Sequence, residues 1–181
     1  MRMLLDACVL YPTVMREVLI GCARAGLYEP RWSPRILEEW ARAAMKLGPE
    51  GEVIARGEVA ALRADFPQAE ITVPAGKLAQ FWLPDPDDIH VLAAAVVGSC
   101  DGIVTANAKD FPGNLLAEEG LFRADPDGFL IRLYDEAPDQ VRGVGGSVLA
   151  EARRLSGEDW TMRALMKKAR LPRLGKRLAA A

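Results

Sequence analysis

The chain has 181 residues and a mass of 19.7 kDa, which is enough for one ordinary domain and a small appendage. Half of the residues are apolar and 27% are charged, so the composition excludes a disordered chain, a collagen and a disulfide scaffold. The formal net charge of -2 hides an asymmetry, because 14 Lys and Arg oppose 22 Asp and Glu in residues 1–150, whereas nine oppose three in residues 151–181. Such an asymmetry indicates either a nucleic-acid contact or an acidic site with a basic tail.

The cysteines and the apolar runs carry information about the compartment. The three cysteines, Cys8, Cys22 and Cys100, are an odd number without C-x-x-C spacing, which is typical of reduced thiols in a cytoplasmic protein. Asp6 ends the first apolar stretch too early for a signal peptide. The longest apolar run, Val91–Val97, is far shorter than the ~20 residues of a membrane span. We therefore expect a cytoplasmic chain without a transmembrane helix.

Strand and helix patterns alternate over residues 1–125. A buried strand is predicted at Met3–Leu5, and a helix is predicted to begin with Ser33 as N-cap and Pro34 as first residue. Further strands are predicted at Tyr28–Trp32, Ile71–Val73, Ile103–Thr105 and Gly120–Arg123. Further helices are predicted at Pro12–Gly26, at Glu52–Ala64 and, after an entrance at Pro84–Asp88, at Ile89–Val97. This alternation predicts an α/β fold with an open parallel sheet flanked by helices.

From Pro126 onward only helical patterns remain. They cover Pro126–Tyr134, Asp139–Leu155 and Trp160–Ala169, and a basic end follows. Three glycines are expected to break the second of these helices, namely Gly143, Gly145 and Gly146. We therefore expect an α/β domain over residues 1–125 and an all-helical C-terminal extension over residues 126–181.

Polar side chains follow two of the predicted strands. Asp6 closes the first strand, and Asn107 and Asp110 follow the strand at Ile103–Thr105. Ligands of open parallel sheets sit outside the carboxyl ends of the strands, so these groups would meet at one edge if the two strands are neighbours. Asp88 opens a helix whose N-terminus could point to the same edge.

Glu39 is a further acidic candidate because of its place on a helix. With about 100° per residue, the apolar face of this helix centres near Trp40 and Ala44. Glu39 lies about 110° from that centre and Glu38 about 150° from it. Glu39 would therefore lean into a cleft, whereas Glu38 would point to water.

Several carboxylates in one cleft impose a chemical requirement. They repel one another and raise each other's pKa unless a cation lies among them. Oxygen-only ligands suit Mg²⁺ or Mn²⁺ rather than zinc. Such an ion activates water and neutralises phosphate charge during phosphodiester hydrolysis.

Three blocks of the sequence carry a resemblance to a known family. They are LLDACVLYP at residues 4–12, RWSPRILEEW at residues 31–40 and DPDDIHVLAAAVVGSCDGIVTANAKDFP at residues 85–112. In order, spacing and placement they resemble the PIN domain, the metal-dependent nuclease fold of the VapC-type toxins. The resemblance covers about residues 2–125, and the helical remainder is similar to the C-terminal extension of one bacterial branch of that family.

The resemblance implies a set of site residues. It assigns Mg²⁺ or Mn²⁺ to Asp6, Glu39, Asp88 and Asp110, and the orientation of water or phosphate to Thr105 and Asn107. Many members have aspartate at the position of Asn107, and members with Asn there usually have an acid three residues on, as Asp110 is here. This branch often has Arg where the chain has Ile89, which bears on substrate contacts rather than on metal ligands.

The resemblance also implies an activity. It is that of an endoribonuclease that leaves 5′-phosphate and 3′-hydroxyl ends and acts as the toxin of a type II toxin–antitoxin system. RNA would be the substrate, a small cognate antitoxin the partner, and a homodimer the usual assembly.

Some of these residues also have a purely structural interpretation. Asp87 and Asp88 lie in a first helical turn, where Asp offsets the helix dipole, so one of them is expected to cap and the other to function. Asn107 in place of aspartate leaves open a catalytically silent PIN fold that binds RNA or acts as a scaffold. An aspartate-nucleophile phosphatase fits less well, because it usually needs Asp-x-Asp after the first strand and Cys8 stands at the second position.

The basic tail, Arg153 to Arg177, has three interpretations. It could be a solvated helix face, a docking surface for a partner, or a surface that contacts RNA phosphates. Given the acidic site, we favour the RNA contact, with Lys167, Lys168 and Arg170 as its residues.

Overall fold

The computed structural model describes residues 1–48 and 50–180. This part of the chain forms two compact units. The first contains Met1–Tyr11 and Glu29–Ala124, and the second contains Pro12–Tyr28 and the residues from Asp125 on. The second unit thus includes an early helix as well as the C-terminal ones.

The first unit contains a four-stranded parallel sheet. Its strands are β1 (Arg2–Leu5), β2 (Glu29–Arg31), β3 (Gly102–Val104) and β4 (Phe122–Ala124), in the order β2-β1-β3-β4. Leu4 pairs with Arg31 on one side and with Ile103 on the other. The central strands are buried on both faces, since Met3–Leu5 and Ile103 are fully inaccessible to solvent. The predicted α/β class with a parallel sheet and a helical extension is confirmed.

Helices make up most of the described chain. In chain order they are α1 (Ala7–Leu10), α2 (Thr13–Arg24), α3 (Pro34–Ala43), α4 (Gly51–Asp65), α5 (Ile89–Val97), α6 (Gly113–Glu118), α7 (Pro126–Glu136), α8 (Pro138–Ser156), α9 (Met162–Lys168) and α10 (Pro172–Ala179). Short 3-10 turns lie at Ala44–Leu47, Lys77–Gln80 and Pro86–Asp88. No helix of the described residues combines the length and apolar character that crossing a membrane requires.

The start of α3 follows from its N-cap, Ser33, and its first residue, Pro34. The Ser33 hydroxyl accepts a hydrogen bond from the Ile36 N–H at 3.2 Å, and Pro34 occupies the first turn, as predicted. Ile36 and Trp40 are buried on the face that packs on the unit's core. This face fixes the rotation of α3 and therefore the direction of its acidic residues.

Residues 71–73 do not form the predicted strand. One bridge pairs Trp32 with Glu70, supported by the Ile71 N–H, which donates to the Trp32 carbonyl at 2.8 Å. Pro74 has no N–H and cannot extend this pairing into a ladder. The prediction at Ile71–Val73 was wrong, and the strands beside β1 are β2, within the predicted Tyr28–Trp32, and β3.

The second unit contains α2 and α7 to α10. Helix α8 is continuous, so the predicted break at Gly143, Gly145 and Gly146 was wrong. A Cβ at Gly145 would lie 2.7 Å from the Leu178 Cδ1 atom, whereas Cβ atoms at Gly143 and Gly146 would meet open space. Glycine lowers helix stability by about 1 kcal/mol but does not forbid the helix, and packing against neighbouring helices outweighs this cost.

Candidate metal centre

Two adjacent strands bring Asp6 and Thr105 together. Asp6 follows β1 and Thr105 follows β3, and the Thr105 hydroxyl donates to the Asp6 Oδ2 atom at 2.7 Å. The Cys8 thiol donates to the same oxygen at 3.0 Å. Asp6 is only 6% exposed, and its Oδ1 atom accepts no hydrogen bond from the described residues. The carboxylate is therefore held by one oxygen and has the other available.

Cys8 is a neutral donor in this arrangement. Burial raises the pKa of its thiol to about 12, and the nearby Asp6 charge adds to the effect. The Ala106 N–H donates to the sulfur at 3.3 Å, so the thiol bridges the two chain segments that follow β1 and β3. The thiol stays protonated at neutral pH, which excludes it as a nucleophile there.

Three further carboxylates lie close together beside this pair. Asp85, Asp88 and Asp110 each offer one oxygen, and these atoms all lie within 4.8 Å of one another. Asp85 and Asp88 belong to the turn that enters α5, and Asp110 lies in the segment after β3. All three side chains are partly buried. Topology thus assembles acids from separate parts of the sequence at one edge of the sheet.

The electrostatics of Asp88 reflect this crowding. Its pKa rises to about 6, because burial disfavours the ionised form and the charges of Asp6, Asp85 and Asp110 act in the same direction. His90 lowers the pKa of Asp88, but its effect is smaller than those of burial and the neighbouring acids. A bound cation would compensate the repulsion that raises this pKa.

Asn107 connects the two groups of acids. Its side-chain amide donates to the Asp88 Oδ2 atom at 3.2 Å, and its backbone N–H donates to the Thr105 hydroxyl at 3.0 Å. Thr105 in turn donates to Asp6. A chain of hydrogen bonds therefore runs from Asp88 through Asn107 and Thr105 to Asp6.

Glu39 lies against α5 and outside the three-carboxylate group of the described residues. Its Oε1 atom is 3.0 Å from the His90 Nε2 atom and accepts a hydrogen bond from the Arg35 Nε atom at 3.1 Å. Burial alone would raise the pKa of Glu39, but His90 and Arg35 outweigh it, so the pKa lies below its ordinary value. Glu38 binds the guanidinium groups of Arg42 and Arg56 instead.

A family comparison bears directly on this arrangement. A model of the PIN domain matches residues 2–109, which is more than half of the chain. The chain belongs to the PIN domain family. PIN domains are generally nucleases that use divalent metals, and the acids described above lie within or next to the matched region. No curated protein and no solved structure matches the chain.

In this PIN domain, the side-chain capping hydrogen bond at the entrance to α5 comes from neither Asp87 nor Asp88. Asp85 caps the turn, since its Oδ1 atom accepts from the Asp87 N–H at 2.9 Å. Asp88 makes no capping hydrogen bond, and the Asp87 carbonyl accepts from Arg35 at 3.4 Å. Sequence reasoning missed Asp85, although Asp directly before a proline at a helix entrance is a signal for a cap.

The donor set of the PIN domain fits a hard divalent cation. The candidate ligands offer carboxylate oxygens only, which suits Mg²⁺ or Mn²⁺ and does not suit zinc. His90 and Cys8 lie nearby, but the His90 Nε2 atom is engaged by Glu39 and the Cys8 sulfur by Asp6.

Much of the basic tail is paired within the second unit. Arg154 binds Glu151, Arg153 binds Asp159, Arg173 binds Asp125 and Asp127, and Arg177 binds Asp135. Lys167, Lys168 and Arg170 are exposed and make no ion pair within residues 1–48 and 50–180. Lys168 instead places its ammonium 4.7 Å from the centroid of the Trp160 ring. Three cations at the end of α9 thus remain available to a ligand.

Proposed function

We propose that this protein is a divalent-metal-dependent endoribonuclease that hydrolyses RNA phosphodiester bonds. The observation that carries the proposal is the convergence of the Asp85, Asp88 and Asp110 carboxylates within 4.8 Å. Membership of the PIN domain family supports it, because that fold generally serves nucleases.

The residues have distinct roles in this proposal. Asp6, Asp88 and Asp110 would hold Mg²⁺ or Mn²⁺, with Glu39 as the family resemblance implies and Asp85 as a further acid. The ion would supply the lowered water pKa and the phosphate neutralisation that hydrolysis needs. Thr105 and Cys8 hold one oxygen of Asp6 and thereby orient the other.

Asn107 would have a positioning role. Its amide fixes one oxygen of Asp88 and leaves the second without a partner among the described residues. Because the amide is uncharged, it positions Asp88 without adding to the repulsion among the acids. Together with Thr105, it would orient water or phosphate at the site.

An RNA cleavage assay tests this function. We expect the wild type to cleave single-stranded RNA when Mn²⁺ or Mg²⁺ is present, with 5′-phosphate and 3′-hydroxyl ends. Asp88→Asn should abolish the activity, whereas Asp87→Asn, an exposed neighbour, should retain it. Cleavage that persists in both Asp88→Asn and Asp6→Asn would refute the assignment.

The biological role proposed is that of the toxin in a type II toxin–antitoxin system. The three family-like blocks and the helical C-terminal extension support it. It entails a cytoplasmic protein, a small cognate antitoxin and a homodimer. Induced expression should arrest growth, Asp88→Asn should remove the arrest, and a small protein encoded next to this chain should relieve it. Normal growth under induction of active enzyme would favour a housekeeping nuclease.

A second candidate function is a catalytically silent PIN domain that binds RNA or serves as a scaffold. The observation in its favour is Asn107, whose amide occupies an oxygen of Asp88 that a ligand could use. Calorimetric titration with Mn²⁺ separates the two functions. A nuclease should bind Mn²⁺ and lose that binding in Asp88→Asn, whereas a silent domain should show no binding that depends on Asp6 or Asp88.

A further inference from the structure

A pocket of about 300 Å³ lies in the first unit beside the candidate metal centre. It is lined by the start of α3 at Ser33–Arg35, by the loop at 71–76, by Leu78 and by His90 of α5. Much of the wall is apolar, with Ile71, Val73 and Pro74 contributed by the loop. Its volume lies at the lower end of the range for small-ligand sites.

Two side chains connect this pocket to the acidic site. Arg35 and His90 both line the pocket, and both contact the Oε1 atom of Glu39. Arg35 also donates to the Asp87 carbonyl, next to Asp88. The pocket lining therefore contacts Glu39 directly and reaches the backbone of the residue before Asp88.

Both connecting side chains retain hydrogen-bonding capacity. Arg35 uses its Nε atom for Glu39 and one Nη2 hydrogen for Asp87, which leaves further donors of its guanidinium. His90 is 5% exposed, and its buried Nδ1 atom has no hydrogen-bond partner within the described chain. A buried polar atom without a partner is costly, and this one belongs to a residue that lines the pocket.

The chemistry of this wall selects a class of ligand. Unstacked bases of single-stranded RNA are bound between apolar or aromatic surfaces and the planar guanidinium of Arg, with hydrogen bonds to their edges. The pocket offers an apolar loop and one guanidinium, and His90 completes its lining. Arg35 also suits a phosphate, because its planar fork matches phosphate oxygens.

We infer that this pocket binds one nucleobase of single-stranded RNA, next to the phosphate that is cleaved. The inference rests on the proposed nuclease function and deepens it, because it assigns a site for base selection. Double-stranded RNA would be a poor substrate, since its bases are stacked and cannot enter a pocket.

The test uses the full-length chain without metal. Amide NMR spectra are recorded during titration with each of the four nucleoside monophosphates and, as a control without a base, with ribose 5-phosphate. At least one nucleotide should shift the amides of residues 71–78, and ribose 5-phosphate should not. Leu78→Trp and Val73→Trp fill the pocket and should weaken this binding about tenfold or more.

A matched substitution controls for the added indole. Val53→Trp places the same side chain at a position that is 71% exposed and does not line the pocket, so it should bind nucleotides like the wild type. Leu78 is 40% exposed, so Leu78→Trp keeps the test valid if Val73→Trp does not fold. Unchanged amide positions outside 71–78 verify the fold of each variant.

The outcomes separate this inference from the nuclease proposal. The pocket assignment is overturned if none of the four nucleotides shifts the amides of residues 71–78. It is also overturned if ribose 5-phosphate shifts them as much as the nucleotides do. Both results would hold even if the protein cleaves RNA. Base-dependent shifts that the pocket-filling variants remove support the assignment even if no cleavage is found. Where cleavage occurs, the wild type should prefer one base beside the cut, and Leu78→Trp should reduce that preference.

Discussion

The hydroxyl of Thr105 donates a 2.7 Å hydrogen bond to the carboxylate of Asp6, 99 residues away in the sequence. The bond exists because β1 and β3 are adjacent and parallel, so the residues that follow both strands meet at one edge. It fixes one oxygen of a buried acid next to three other carboxylates. The sheet topology therefore creates the acidic site, and local sequence provides only its members.

Loss of this hydrogen bond should destabilise the protein. Thr105 is 1% exposed, and Thr105→Val removes the hydroxyl with little change of shape. We expect the free energy of unfolding to fall by about 1.5–3 kcal/mol, since the bond involves a charged group. Denaturant unfolding measures the change. Thr13→Val, at an exposed position, should alter it by less than about 0.5 kcal/mol, and equal effects of both variants would contradict the prediction.

In the metal-free protein, the contribution of Asp88 to stability should decrease as pH rises from about 4 to 6. The pKa of Asp88 is about 6 in the folded chain and 3.8 ordinarily, so in this window the folded state holds a proton that the unfolded state has released. The contribution of Asp88 is present below the unfolded pKa and is lost as pH passes the folded pKa. Denaturant unfolding at several pH values, with a chelator present to remove metal, measures this change in the free energy of unfolding.

Asp88→Asn should remove this part of the pH dependence, because an amide does not titrate. Asp87→Asn should leave it in place. Saturating Mn²⁺ should also suppress it, since a cation favours the ionised carboxylate. A pH profile identical in the wild type and Asp88→Asn would show that Asp88 is not the titrating group.

All three thiols should react slowly in the folded protein. Burial raises the pKa of Cys8 and Cys22 to about 12 and that of Cys100 to about 11, and only the thiolate is nucleophilic. An aromatic disulfide reagent at pH 8 should label the native chain far more slowly than the chain in guanidinium chloride. Rapid labelling of one thiol in the native chain would contradict the arrangement around Cys8 or the burial of the other two.

Charge reversal at the end of α9 should weaken RNA binding. Lys167→Glu, Lys168→Glu and Arg170→Glu, combined in an Asp88→Asn background to prevent cleavage, should lower affinity and reduce the salt slope. Three lost phosphate contacts correspond to a change in slope of about 2 for single strands. Fluorescence anisotropy at several salt concentrations measures both quantities.

The control for this variant is Arg154→Glu, because Arg154 is paired with Glu151 and should contribute little to RNA contacts. Equal affinity and equal salt slope in the triple variant and the wild type would show that these cations form a solvated face.

The sequence predicts much of the fold because strong local signals agree with the topology. Ser33 followed by Pro34 predicts the start of α3, and the buried run at Met3–Leu5 predicts the central strand. The glycines of α8 mislead, because their neighbours in the fold, such as Leu178 beside Gly145, are not visible in the local pattern. Pro74 is the signal that argues against a strand at Ile71–Val73.

The candidate site is only partly predictable. The meeting of Asp6 with the residues after β3 follows from the rule on parallel sheets. The presence of Asp85 in the acidic group could not be predicted in this way. Its sequence context predicts a helix cap, and only the fold brings its carboxylate near Asp110. The contacts of Glu39 with His90 and Arg35 likewise depend on how α3 and α5 pack.

The carboxylate of Asp85 has two roles. Its Oδ1 atom accepts a hydrogen bond from the Asp87 N–H in the turn before α5, and the same carboxylate belongs to the acidic group with Asp88 and Asp110. Local order in this turn and cation affinity are therefore thermodynamically linked, and the linkage is reciprocal. Cation binding should slow hydrogen exchange at the Asp87 amide, and any change that loosens this turn should weaken cation binding to the same extent.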